Sequence, residues 1–353
     1  MLGIDPKAAR ITWTVFLVSL FIFLAYMARH TLLIFALALF FAYMLSPVVR
    51  LVERFAPPRL SRNAILAVVY VLFIAAIGGI GFGIGSAVAD QASNLISKLP
   101  DLVKSHDPLA NLPLPHFLDP LHNRIVDGIR QQVARLNTDA FPIIKAALTR
   151  VAASAGSLLQ FVLIPILAFF FLKDGAAIRQ AIVNWTTHGH NRKILEEIFD
   201  DVHVLLGHYI RALVTLSAAT FTVYTLFLQF TGAEYSVLLG GLAALLEFVP
   251  VVGPLVAAVV IFVVAGVTGY SHLIAVIIFI ICYRFFQDYV LSPYLMGTGV
   301  ELHPLLVLFG VLAGERIAGI SGMFFSVPVI AALRIVYIHL QRSRGRRETV
   351  VVE

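Results

Sequence analysis

The sequence predicts an all-α, polytopic integral membrane protein with about 6–8 transmembrane helices. Three observations carry that prediction. Of 353 residues, 59% are hydrophobic and only 13% are charged, whereas a soluble domain of this size carries about 25% charged residues. So little charge cannot cover a soluble surface, and the apolar excess needs lipid as its solvent. The apolar residues form long continuous runs, without the alternation of barrel strands, so helices are the way this chain satisfies its backbone in lipid. The basic residues gather at the ends of those runs, which is the orientation signal of a membrane protein. The formal net charge of +6 is accounted for in that way and implies no nucleic acid as partner.

The first apolar run, 11–28, follows Lys7 and Arg10 and looks at first like a signal peptide. A signal peptide ends at a small-residue cleavage site and leads into a soluble chain. Here Arg29-His30 leads straight into a second run, 31–49, so an uncleaved antiparallel hairpin is expected. A basic loop with Arg50, Arg54, Arg59 and Arg62, broken by Pro57-Pro58, precedes the third span, 63–89. That span holds Gly78, Gly79, Gly81, Gly83 and Gly85, at spacings that let helix backbones approach closely, and helix packing is their expected role. The stretch 90–150 is polar and contains Pro100, Pro108, Pro113, Pro115 and Pro120; it reads as a small extramembrane insertion with a surface helix near 121–136.

The fourth span, 151–172, contains Pro165 and ends in Lys173-Asp174-Gly175. Between 191 and 209, Ile194, Leu195, Ile198, Phe199, Val202, Leu205 and Leu206 form an apolar stripe opposite Glu196, Glu197, Asp200 and Asp201, the pattern of an amphipathic cytoplasmic helix. It leads into the fifth span, 212–230. The chain therefore divides into spans 1–3 (1–90), the insertion (91–150), spans 4–5 with the amphipathic helix (151–231), a C-terminal transport region (232–341) and a basic tail (342–353).

The C-terminal region has short, interrupted apolar runs. Run 235–246 stops at Glu247 and the turn Pro250-Val251-Val252-Gly253-Pro254; run 273–283 stops at Arg284 and Asp288; run 303–314 stops at Glu315-Arg316. Positive charge before the first span and after the last puts both termini in the cytoplasm, which demands an even number of crossings. A re-entrant hairpin over 235–267 and a second re-entrant pair over 303–333 satisfy that count, as do ordinary short spans in even number. Phe248-Val249-Pro250-Val251-Val252 echoes Ser326-Val327-Pro328-Val329-Ile330, and paired broken segments are how secondary transporters build a mid-membrane site.

An ionisable residue inside a span costs about 3 kcal/mol and is kept where it faces a cavity or partner. Glu247, beside a proline-glycine break that frees backbone carbonyls, suits a proton, a cation or a polar solute. Arg284 and Asp288 share a helix face and can pair. Glu315-Arg316, between Gly314 and Gly319, would sit where a broken helix turns its dipoles towards a pathway. The expected pathway is built from Glu247, Pro250, Gly253, Pro254, Arg284, Asp288, Pro293, His303, Pro304, Gly314, Glu315, Arg316, Gly319, Gly322 and Pro328. The single cysteine, Cys282, excludes a disulfide framework and is expected to pack inertly in its apolar run. His188, His190, His203 and His208 lack a zinc-ligand framework, and HExxH, P-loop, GxSxG and dinucleotide motifs are missing. No cofactor, metal or enzymatic reaction is therefore expected, nor ATP-driven pumping within this chain.

Several blocks together resemble a known family. They are Phe169-Phe170-Phe171-Leu172-Lys173-Asp174-Gly175, Glu247-Phe248-Val249-Pro250-Val251-Val252-Gly253-Pro254, Gln287-Asp288-Tyr289-Val290-Leu291-Ser292-Pro293, and Leu302-His303-Pro304-Leu305 followed by Gly314, Gly319, Gly322 and Val327-Pro328. These resemble the aromatic run, the "I-P-Y-V-G-P" turn, the "D-N-x-x-x-P" segment and the C-terminal block of the autoinducer-2 exporter (PerM-like permease) family. Tyr289 departs from the family's usual Asn, and Glu315-Arg316 from its Gly and apolar residue. The resemblance implies a homo-oligomer in the bacterial inner membrane that exports a small polar, autoinducer-2-like molecule by ion-coupled alternating access. It equally implies, as an alternative, a monovalent cation (Na+/Li+)/proton antiporter. A non-transporting membrane scaffold is the reading from another class. The expected partners are membrane lipid, the small polar solute and/or H+/Na+, and further copies of the chain.

Overall fold

The computed structural model of the chain describes residues 6–57, 61–105, 158–185, 189–268, 270, 272–296 and 302–350. Among them there is no strand, and the chain is all-α. In order come α1 (Pro6–Met27), α2 (Arg29–Phe55), α3 (Arg62–Ser105), α4 (Leu158–Asn184), α5 (Gly189–Phe230), α6 (Ser236–Leu246), α7 (Val252–Val267), α8 (Leu273–Phe286), a π-helical turn (Gln287–Leu291), α9 (Ser292–Met296) and α10 (Pro304–Val350). Among the described residues, six segments are long and apolar enough to cross a membrane: Lys7–Met27, Arg29–Phe55, Arg62–Lys98, Asn191–Phe230, Leu273–Leu295 and Pro304–Ser343. The protein is thus a multi-pass membrane protein.

Several helices run past the expected ends of their spans. α3 continues through Asp90 and Gln91 to Ser105, α4 passes Lys173-Asp174-Gly175 without a break, and α5 joins the amphipathic stretch to the fifth span as one rod. The reason is that a helix satisfies its backbone internally, so a change from apolar to charged side chains alters its solvent without ending it. α4 is not among the six membrane-length segments. The expected surface helix at 121–136 and the start of the fourth span lie outside the described residues.

α1 buries none of its membrane-length window; Trp13, Phe16 and Phe21 are exposed, as lipid permits. α2 is the hub. Its Ala38 and Ala42 meet Ala168 of α4, small residues that let the two backbones close up. Val49 packs with Ile65, Leu66 and Val69 of α3, and Phe40 with Ile210 and Leu213 of α5. The Tyr70 hydroxyl donates to the Pro165 carbonyl, tying α3 to α4. The α3 glycines depart from expectation. A Cβ at Gly78, Gly79, Gly81, Gly83 or Gly85 would meet nothing within 4 Å, so no described helix of this chain packs on them. Cys282 is exposed as well, outside the core of its helix.

The second half forms its own core. α5 ends at Gly232 with φ 82°, and the Ala233 amide returns to the Leu228 carbonyl at 2.8 Å, a glycine-terminated helix end that reverses the chain. α6 then packs back along α5 so closely that a Cβ on Gly240 would strike Thr225. Gln91 of α3 accepts the Leu238 amide at 2.8 Å, satisfying one orphan donor in the first turn of α6. Tyr224, Leu228, Leu239, Ala257, Ile261, Val276 and Tyr283, from α5 to α8, close the core.

α6 and α7 have 11 and 16 residues, too few for the about 20 that a crossing needs. They form a hairpin. Val251 turns at φ 64°, ψ −55°, and the Val252 amide bonds the Pro250 carbonyl at 2.7 Å: a γ-turn of the rare, strained hand. A Cβ on Gly253 would land on the Leu246 carbonyl, so glycine is needed for the two arms to meet.

α10 also folds back on itself. Ala318 (φ −144°, ψ 19°) and Gly319 (φ 61°, ψ −141°) break the helix. A Cβ on Gly314 would run into the Gly322 backbone and the reverse, while one on Gly310 would meet Ile330 and Ser326. The arms are therefore antiparallel and nearly touching. The sequence echo around Pro250 and Pro328 does not mark equivalent turns. Pro250 lies in a turn, whereas Pro328 lies inside the second arm and the reversal is at Ala318-Gly319. Further along that arm, His339 meets Asp201 at 3.4 Å and Glu197 at 3.9 Å, joining α10 to the first third of α5.

Candidate functional site

Glu247 follows the last residue of α6, where the chain leaves the helix before the Pro250–Val251 turn. Its side chain is only 9% exposed. The Gln287 amide donates to Glu247 Oε1 at 2.5 Å, Arg284 Nη1 lies 3.8 Å from the same oxygen, and the Thr220 hydroxyl approaches Oε2 at 3.5 Å. Thr220 also bonds the Tyr283 hydroxyl at 3.0 Å. Arg284 is shared, because its Nε pairs with Asp288 Oδ2 at 2.8 Å. Four elements thus converge on one carboxylate: α5, the α6–α7 turn, α8 and the π-helical turn.

The local folding of each element explains the convergence. Pro293 has no amide hydrogen to bond four residues back and its ring crowds that carbonyl, so the preceding turn widens. The Ser292 amide then reaches the Gln287 carbonyl, five residues back. The widened turn carries Gln287, which is 2% exposed, and Asp288 beside it. Tyr283, Arg284, Gln287 and Asp288 follow helical spacing and form one polar stripe on an otherwise apolar helix.

The structure thus brings Glu247, Arg284 and Asp288 together, with Pro250, Gly253, Pro254 and Pro293 shaping the turns around them. Pro254 sits in the first turn of α7, where a missing amide costs nothing. The carbonyls that lead into the break have partners. Ser217 donates to the Ala244 carbonyl at 2.8 Å, the Glu247 amide to Ala243, and the Phe248 and Val249 amides to Leu245 and Leu246.

The remaining expected residues belong to α10 and stay out of this network. His303 accepts the Leu305 amide through Nδ1 at 3.3 Å and Pro304 begins the helix, a capping arrangement. Glu315 and Arg316 approach each other at 3.7 Å and are 47% and 89% exposed. Gly314, Gly319 and Gly322 serve the backbone reversal, and Pro328 sits within an arm. The two hairpins meet through aromatic rings: Phe248 and Phe324 lie 5.6 Å apart, and Phe40 lies 6.2 Å and 5.2 Å from them.

Sequence reasoning missed Thr220, Tyr283 and Gln287. The signal for the last two was available, since each directly precedes a charged residue on the same stripe. Thr220 had only its helical spacing from Ser217 and Tyr224 to mark it. Among the described residues no group of three or more His, Cys, Asp or Glu side chains could hold a metal ion.

A family model described as AI-2E family transporter matches residues 15–342. YrrI of Bacillus subtilis (strain 168), which carries the name of a transport protein, is 28% identical over 316 residues, covering 87% of this chain and 86% of its own. YueF of the same organism, named likewise, is 24% identical over 85% of this chain and 81% of its own. PerM of Escherichia coli (strain K12), named as a permease, is 25% identical over 78% of each chain. Taken with a six-segment membrane fold and a shielded carboxylate at a helix break, a match of that length leads to one assignment: the chain belongs to the AI-2E family of transporters.

Proposed function

We propose that this protein is an ion-coupled secondary transporter that moves a small polar molecule, of the autoinducer-2 type, out of the cell by alternating access. The observation that carries this reading is Glu247, shielded at a helix break and shared among Thr220, Arg284 and Gln287. A carboxylate so placed is costly unless it has a task or a partner. Arg284 stands between Glu247 and Asp288, so protonating or liganding Glu247 releases the guanidinium towards Asp288. That exchange of partners couples an ion to a movement of α8 against the α6–α7 hairpin. The setting is the bacterial inner membrane, with both termini cytoplasmic by the placement of Lys7, Arg10 and the arginine-rich tail, and the chain works as a homo-oligomer.

The same shared arginine favours a second reading, exchange of Na+ or Li+ for protons. Arg284 is a built-in competitor for any cation that reaches Glu247. Proteoliposomes containing wild type or Glu247→Gln separate the two. Under solute export, counterflow of the organic solute falls by roughly tenfold or more in the variant, the scale expected when a shielded charge pair loses a partner. Under cation exchange, wild-type Na+- or Li+-driven proton flux disappears in the variant while organic solute has no effect. Undiminished transport in the variant removes Glu247 from the mechanism, and an absence of any flux in wild type leaves the scaffold reading.

A further inference from the structure

A cavity of about 240 Å³ opens between α2 and α5, well away in sequence from Glu247. Tyr43, Ser46 and Arg50 line it from α2, and His203, Gly207, His208 and Arg211 from α5. Its lining contains no carboxylate. The charges that act on His203 are Arg50, Arg179 and Arg211 against the single acid Asp200, and Asp200 is already paired with Arg179 at 2.8 Å. Arg50 and Arg211 therefore remain as a two-charge excess, with no carboxylate within 4 Å among the described residues. The Tyr43 hydroxyl and His203 Nδ1 are 2.8 Å apart, which fixes the imidazole and leaves its other nitrogen for a ligand. Gly207 forms the floor: a Cβ there would lie 3.6 Å from Arg211 Nη1 and 3.8 Å from the Tyr43 ring.

We propose that this cavity binds a phosphate-type oxyanion, held between Arg50 and Arg211 with His203 and Ser46 as further donors. Guanidinium groups bind phosphate through paired N–H bonds. The volume suits a small anion, below the about 300 Å³ at which pockets for larger organic ligands begin. Arg50 closes the apolar run of α2, and Arg211 immediately precedes the apolar stretch of α5. Both guanidinium groups thus belong to the border of the apolar layer, where lipid phosphates reside and where a soluble phosphate can also arrive. The assignment does not depend on the role of Glu247.

The test uses the full chain in nanodiscs, with inorganic phosphate as the soluble probe and phosphatidylglycerol against phosphatidylcholine as the lipid probe. Phosphate binding is read by calorimetry and lipid retention by native mass spectrometry. Three variants are compared: Arg50→Gln with Arg211→Gln; Gly207→Leu, which narrows the cavity with its charges intact; and Arg50→Lys with Arg211→Lys, which keeps the charge. The expected result is that the first two weaken one or both probes by roughly tenfold or more, while the lysine variant retains part of the binding. Loss confined to phosphatidylglycerol identifies a lipid headgroup, and loss confined to inorganic phosphate a soluble anion. If wild type prefers neither probe over phosphatidylcholine, or if Gly207→Leu and the glutamine variant bind as wild type does, the proposal is overturned. Should the glutamine variant fail to fold, Gly207→Leu decides alone.

Discussion

The two C-terminal hairpins solve the same problem with different materials. In the α6–α7 hairpin the chain reverses through Val251, a β-branched residue forced to φ 64°, and the break carries a shielded carboxylate held by side chains of three other elements. In α10 the chain reverses through Gly319 at φ 61°, a residue with no Cβ to resent it, and the arms are locked by Gly314 and Gly322 backbone to backbone. Its charges, Glu315 and Arg316, face outward. The first turn strains a β-branched residue beside a shielded carboxylate, and the second turns on a glycine beside exposed charges. Strain of about 1–3 kcal/mol persists only where the surroundings over-determine it, and it collects at working sites. On the proposed transport reading, the first hairpin carries the chemistry and the second the scaffolding.

The largest effect should come from filling the glycine contact. Gly314→Leu puts a side chain where the other arm's backbone already stands, and backbone cannot swing aside. A loss of about 3 kcal/mol is expected, visible as a lowered unfolding midpoint in detergent; an unchanged midpoint would show that the arms are not locked there. Next comes Gln287→Leu, which strips Glu247 of its amide donor. Hydrogen bonds to a charged group are worth about 2 kcal/mol, and transport should fall with stability, whereas a purely structural Gln287 would lower stability alone.

A matched pair at the turns sharpens the contrast further. Val251→Gly should stabilise by about 1 kcal/mol, because relief of the positive φ exceeds the added chain entropy. Gly319→Ala should destabilise by about 2 kcal/mol, because φ 61° with ψ −141° is a conformation open almost only to glycine. Thermal melts that move in the same direction for both would contradict the assignment of strain. The smallest effect belongs to Glu315→Gln and Arg316→Gln, each within about 0.5 kcal/mol for such exposed positions and without influence on flux. A transport defect there would bring the second hairpin back into the pathway.

How much of this was legible follows from what makes a residue conspicuous. Glu247, Arg284 and Asp288 stood out because a charge in an apolar run demands a reason, and they do meet. Thr220 was silent, since hydroxyls are cheap in membrane helices and carry no such demand. The α6–α7 reversal was written in its prolines and glycine. The α10 reversal was half hidden: the Val-Pro echo pointed to Pro328, while the break came at Ala318-Gly319, where a single glycine accepts a conformation other residues avoid. The glycines of α3 promised packing by their spacing alone, and spacing cannot name the partner; among the described residues none arrives. The lengths of α3, α4 and α5 were obscured because hydropathy marks where the solvent changes, not where hydrogen bonding stops.

The unbroken rod of α5 has a mechanical consequence. At 1.5 Å per residue, Asp201 and Thr220 are separated by about 28 Å of stiff helix. The Asp201 end is clasped by His339, while the Thr220 end touches Glu247. A tilt of about 5° pivoting at the clasp sweeps Thr220 sideways by about 2 Å over that span, enough to part it from the carboxylate. The tail of α10 thus holds one end of a lever whose other end rests on the ionisable group.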